Sequence, residues 1–186
     1  MQGGGVEHLP ARGAYILASN HVSLLDWAFL SYHLPDLVRF VVHREYWDHA
    51  LLGIGLRCNG AVPLRGGATD AGAFRRARAV LSDGEPLVMF PEGGISRTGR
   101  PQRGQPGIIA LAAAARAPIV PAAIRGGFEV FPRHRRLPRP GSVTVVFGAP
   151  LPPPVPNSRD AQRALAAALM RHIEALHDGT PAPPPW

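Results

Sequence analysis

Short apolar runs alternate along this chain with stretches of helical periodicity, and that alternation narrows the choice of fold more than any other feature. The candidate strands are residues 14–18, 37–42, 61–64, 86–90, 119–124 and 142–147. Between them, helical patterns cover 23–33, 45–57, 69–82 and 107–116. In the third of these, Phe74, Ala77 and Leu81 share one face while Arg75, Arg76 and Arg78 lie mostly on the other, as on a helix that covers a sheet. The pattern predicts an α/β layer fold. With 186 residues and 46% hydrophobic content, the chain has material for one ordinary core, so a single domain is expected.

After residue 150 the composition changes. Residues 151–157 carry Pro152, Pro153, Pro154 and Pro156 and read as a stiff connector. A last helix over 158–177 places Leu165, Leu169, Ile173 and Leu176 on one stripe, so it should pack on the same domain. The tail 178–186 is rich in proline and is expected to be flexible.

Several classes of function drop out. The most apolar stretch, 107–124, is interrupted by Arg116 and Pro118, which argues against a membrane span. The first ten residues lack a basic start followed by an apolar core, so cytoplasmic residence is the default. Cys58 is the only cysteine, which rules out an internal disulfide and a thiolate metal cluster. The eight histidines show no zinc-helix spacing, so no metal is expected. All 20 basic residues are arginine, against 13 acidic ones, giving +7. Arginine pairs well with phosphates and carboxylates, which points to an acidic partner. The lack of lysine excludes a P-loop, a Schiff base and a Ser-x-x-Lys acylase.

Chemistry concentrates at two strand ends. Asn20 and His21 follow the first candidate strand, and Asp26 falls in the first turn of the helix after it. Residues five apart on a regular helix point about 140° away from each other, so the two side chains meet only if His21 precedes the helix. Asp26 would then accept the Nδ1 proton and leave Nε2 as a general base. Ser23-x-x-Asp26 also fits a capping box, in which the carboxylate serves only the helix terminus. At the second strand end, Phe90-Pro91 breaks the run and Glu92-Gly93-Gly94 forms a turn, with Arg97 and Arg100 downstream as phosphate partners. Turns at strand ends of an α/β sheet are placed to share one crevice.

Taken together, residues 20–26 (Asn-His-Val-Ser-Leu-Leu-Asp), Phe90-Pro91-Glu92-Gly93 and Val120-Pro121 resemble the ordered blocks of the glycerolipid acyltransferases, the 1-acylglycerol-3-phosphate acyltransferase family, over about residues 12–150. The resemblance implies a mixed, largely parallel central sheet flanked by helices, with the acyltransferase domain in residues 1–150. It implies that His21 is the catalytic base and Asp26 its orienter. Phe90, Pro91, Glu92 and Gly93 would bind the acceptor, together with Arg97 and with Arg65 from Gly60-Ala-Val-Pro-Leu-Arg65. The chain departs from the family where Gly94-Ile95 stands in place of Thr-Arg, and where Gly66 takes the position that often carries the second block's arginine.

The implied reaction is O-acyl transfer from acyl-CoA or an acyl carrier protein to a hydroxyl of a lysophospholipid or glycerol phosphate. The thioester is then a co-substrate and no cofactor is needed. Two alternatives use the same fold: a thioesterase or lysophospholipase, and a non-catalytic lipid-binding domain. Arg133, His134, Arg135, Arg136 and Arg139 form the densest basic segment, which suits peripheral attachment to an anionic membrane surface on the inner face of the cell membrane, or alternatively a solvated loop. Nucleic acid is a poorer partner, because no aromatics interleave with these arginines.

Overall fold

The computed structural model describes residues 1–34, 38–48, 54, 57, 61–64 and 70–186. Its strands are β1 (Gln2–Gly4), β2 (Ile16–Ser19), β3 (Arg39–His43), β4 (Val62–Leu64), β5 (Leu87–Met89), β6 (Ile119–Arg125) and β7 (Thr144–Phe147). The described helices are α1 (Asp26–Ser31), α2 (Arg44–Trp47), α3 (Ala71–Ser82), α4 (Gly107–Ala115), α5 (Gly127–Val130) and α6 (Arg159–Asp178). Most of the expected helix over 45–57, the start of the one over 69–82, and Cys58 lie outside the described residues.

The seven strands among the described residues form one sheet in the order β1-β7-β6-β2-β5-β3-β4. Every neighbouring pair is parallel except β6 with β7. The expected mixed, largely parallel sheet is therefore present. A parallel sheet needs cover on both faces, and the period of two along each strand supplies two cores. Ile16, Ala18, Leu87 and Ile119 face a core completed by α3, α4 and α6, where Leu169 and Ile173 are fully buried. Leu17, Val88, Val120 and Ile124 face a second core with Phe29 and Leu30 of α1 and Val130 of α5. Each fully buried Leu or Ile stabilises the fold by roughly 2 kcal/mol relative to exposure.

Local signals fix the helix ends. The side chain of Asp70 accepts the amide of Ala73 at 2.8 Å at the start of α3, and Ser158 accepts that of Ala161 at 3.1 Å at the start of α6. Helix α6 stops at Gly179, whose φ of 73° is left-handed and costs glycine little. Two described elements have no sequence signal. Strand β1 is mostly glycine and exists because the edge of β7 offers it a parallel partner. Helix α5 is a single turn. At the end of the tail, Trp186 packs against the α6 side of the core and its indole donates to the Pro152 carbonyl at 3.1 Å.

Candidate active site

Strands β2, β5 and β6 lie side by side and end at the same edge of the sheet. Ala18 is in register with Met89 of β5 and with Pro121 of β6. Extending the first register by three residues sets His21 opposite Glu92, which is how two motifs far apart in sequence come to share a site. Asn20, fully buried, joins β2 to β6: its amide donates to the Ile124 carbonyl at 2.9 Å and accepts the Ile124 N–H at 2.7 Å.

His21 is held in several ways. Its main-chain N–H donates to Glu92 Oε1 at 3.0 Å, and its carbonyl accepts the Ser96 N–H at 2.7 Å. Its ring stacks on Phe90, with centroids 4.0 Å apart and planes 14° from parallel. Nδ1 lies 2.7 Å from Asp26 Oδ2. Because a carboxylate only accepts, Nδ1 carries the proton and Nε2 keeps its lone pair.

Asp26 opens α1, and His21 precedes that helix, the arrangement in which the two side chains can meet. Oδ2 also accepts the amides of Val22 at 2.6 Å and Ser23 at 2.8 Å. The carboxylate thus reaches back to Ser23 as in a capping box and orients the imidazole with the same oxygen, so the two sequence readings coexist. Ser23 Oγ accepts the Leu25 N–H at 3.2 Å, and its hydroxyl donates to the Phe131 carbonyl at 2.8 Å. Burial pushes the Asp26 carboxyl above its ordinary value, while the His21 hydrogen bond, the His21 charge and the two amides pull it down. Oδ1 is sealed from solvent without a partner among the described residues. Gly127 closes over it: a Cβ there would lie 3.2 Å from Oδ1 and 3.1 Å from Val22 Cγ2.

The loop after β5 wraps His21. Gly93 has φ 73°, the left-handed conformation its turn requires. Pro91 is buried, and its carbonyl accepts the Gln105 amide at 2.8 Å. Burial pushes the Glu92 carboxyl up to about 7, with the His21 amide and Gln102 pulling it down and the Asp26 charge adding to the rise. Oε2 is buried without a hydrogen-bond partner among the described residues. Arg97 is exposed on this loop, with no ion pair among the described residues. Arg65 lies outside the described residues.

Beside the His21 turn a cleft of about 210 Å³ opens between Val22, Thr98, Gly126, Phe128 and His177. A second hollow of about 290 Å³ lies across α5, between Phe128, Pro132 and the basic His134, Arg135 and Arg139. No group of three His, Cys, Asp or Glu among the described residues could hold a metal ion.

The acyltransferase family profile matches residues 2–125, which contain both the His21 turn and the Glu92 loop. The chain belongs to the acyltransferase family. This acyltransferase is 26% identical over 180 residues to the 1-acyl-sn-glycerol-3-phosphate acyltransferase of Bacillus subtilis, covering 92% of this chain and 85% of that protein. It is 29% identical over 150 residues to the enzyme of the same name from Cocos nucifera, covering 79% of this chain and 48% of that one, so it spans about half of the plant relative. Among solved structures it resembles the 1-acyl-sn-glycerophosphate acyltransferase PlsC of Thermotoga maritima, with TM-score 0.79 and 24% identity over 94% of this chain and 71% of that one. That likeness is one of fold. Strand β7 and helix α6 lie beyond the segment the family profile matches.

Proposed function

We propose that this acyltransferase moves a fatty acyl group from a thioester, acyl-CoA or acyl carrier protein, to the free hydroxyl of a lysophospholipid or glycerol phosphate, as 1-acyl-sn-glycerol-3-phosphate acyltransferases are named for doing. The observation that carries the reading is that His21 has its main chain, its ring face and Nδ1 all engaged, so Nε2 is the imidazole atom left for chemistry. Nε2 takes the proton of the acceptor hydroxyl as its oxygen attacks the thioester carbonyl. The tetrahedral intermediate then expels the thiolate, which recovers that proton from the imidazolium and leaves as free thiol. Asp26 stabilises the imidazolium by its contact at 2.7 Å. General-base help of this kind contributes about 10² to 10⁴ in rate, and positioning supplies much of the remainder.

Arg97, exposed on the loop after β5, is the proposed partner for an acceptor phosphate, a role proposed also for Arg65 and the Gly93 turn. The product would enter phospholipid biosynthesis or remodelling. Lipid substrates call for a membrane surface, and no helix among the described residues is long and apolar enough to cross one. The basic loop with Arg133, Arg136 and Arg139 is exposed, as are Leu137 on the same loop and Trp27 at the start of α1. Such a mixture of arginine with single apolar side chains suits peripheral attachment to an anionic leaflet on the cytoplasmic side.

The test supplies purified protein with one radiolabelled acyl-CoA and a panel of lysophospholipids, glycerol phosphate and no acceptor. Labelled acylated glycerolipid is the expected product. Thiol release at the same rate without any acceptor would instead identify a thioesterase.

A further inference from the structure

We infer that Glu92 is a positioning residue for the base, holding His21 by its main-chain N–H, and that it does not bind the acceptor phosphate. The inference rests on the proposed role of His21 and gives the Phe-Pro-Glu block a different task from the one the family resemblance implies.

Strand β5 ends at Met89, and beyond it the backbone ladder with β2 stops, since Pro91 has no N–H and the chain turns away at Gly93. The His21 N–H would then be a part-buried donor without an acceptor, which is destabilising. Glu92 Oε1 takes the place of the missing carbonyl, at 3.0 Å. Four residues on, the same loop donates the Ser96 N–H to the His21 carbonyl at 2.7 Å. One loop therefore grips both polar groups of one peptide segment, and its Phe90 ring lies flat on the imidazole. Each contact fixes a different degree of freedom of the base: the carbonyl and N–H set the main chain, the stacking sets the ring plane, and Asp26 sets rotation within that plane.

The rest of the Glu92 carboxyl is not available to a ligand. Oε1 is taken up by the His21 N–H, and Oε2 is sealed from solvent. A buried carboxyl near Asp26 is also poor company for a phosphate, which would meet either a second negative charge or a group that has given its charge up.

The experiment compares Glu92→Ala, Glu92→Gln and Glu92→Asp with wild type, using oleoyl-CoA and lysophosphatidic acid, and records the imidazole nitrogen signals of 15N-histidine-labelled protein, assigned with His21→Gln. Loss of the mount in Glu92→Ala should lower kcat about 100-fold while the acceptor KM stays within about twofold, and should shift or broaden the His21 signals. Glutamine keeps the accepting oxygen, so kcat should recover to within about fivefold of wild type. Aspartate keeps the charge but shortens the arm, so it should behave like alanine; it carries the test if Glu92→Ala does not fold. An acceptor KM raised tenfold or more with kcat retained, or His21 signals unchanged in both Glu92→Ala and Glu92→Asp, overturns the inference. If wild type proves inactive on lysophosphatidic acid, the proposed function fails on its own, and the imidazole signals still decide whether Glu92 holds His21.

Discussion

His21 meets Asp26 through Nδ1 at 2.7 Å, and His177 meets Asp178 through Nδ1 at 3.0 Å; both imidazoles are 18% exposed. As isolated pairs they are nearly the same object. Their surroundings differ. Asp26 is fully buried and takes two main-chain amides besides the ring. Asp178 ends α6, is 35% exposed, and shares its carboxylate with Arg100 at 3.0 Å. The titrations run in opposite directions: burial raises Asp26, whereas the His177 hydrogen bond, then the Arg100 and His177 charges, lower Asp178. A short His–Asp distance is therefore a weak criterion for a catalytic pair. The better one is whether the carboxylate's other partners, and the ring's, leave a single nitrogen to act.

Breaking each pair in turn tests this distinction, and the largest effect belongs to His21. His21→Ala should lower kcat by about 10³-fold or more, and His177→Ala by less than about threefold, in the same acyltransfer assay. A comparable loss in both variants would erase the comparison. Asp26→Asn keeps the shape but removes the charge that stabilises the imidazolium, so a loss of about 10²-fold in kcat is expected with a smaller change in KM.

A third measurement concerns the buried carboxyl on the other side of His21. The Glu92 carboxyl rises from 4.5 to about 7 in the folded protein, so between those values the native state keeps a proton that the unfolded chain has released. Its contribution to stability is full below about 4.5 and is lost as the pH rises through about 7. At 1.36 kcal/mol per pKa unit the loss is at most roughly 3 kcal/mol. Denaturant unfolding at pH 5 and pH 8 should show this slope in wild type and a flatter one in Glu92→Gln, while Asp26, raised as well, adds the same sign in both proteins. Equal slopes would mean Glu92 is not a neutral buried acid near pH 5. The smallest effect is Asp178→Asn, where a half-exposed ion pair is removed and activity should stay within about twofold.

Much of the scaffold was legible because periodicity is a local property. The six expected strands have counterparts displaced by no more than two residues at either end, and α6 begins one residue after its capping Ser158. The His21–Asp26 contact was also within reach, since five residues of spacing with a helix start between them leaves few ways for the side chains to meet. What was not legible depends on partners that sequence does not mark. Glu92 binds a main-chain N–H, which every residue but proline carries, so nothing at His21 announces it. Asn20 likewise binds the backbone of Ile124, 104 residues away. Strand β1 needed the free edge of β7, and Trp186 needed a surface on which to fold back.

Gly127 carries a consequence for how this chain tolerates change. It lies far in sequence from both motifs and offers no functional group, yet even a methyl there would have to be accommodated by the oxygen of Asp26 left without a donor, by Val22 and by Ile124. Side chains larger than alanine's should be poorly tolerated at this position, and an observer without coordinates would credit the defect to α5. The penalty would in fact fall on the angle at which an imidazole more than a hundred residues upstream presents its lone pair.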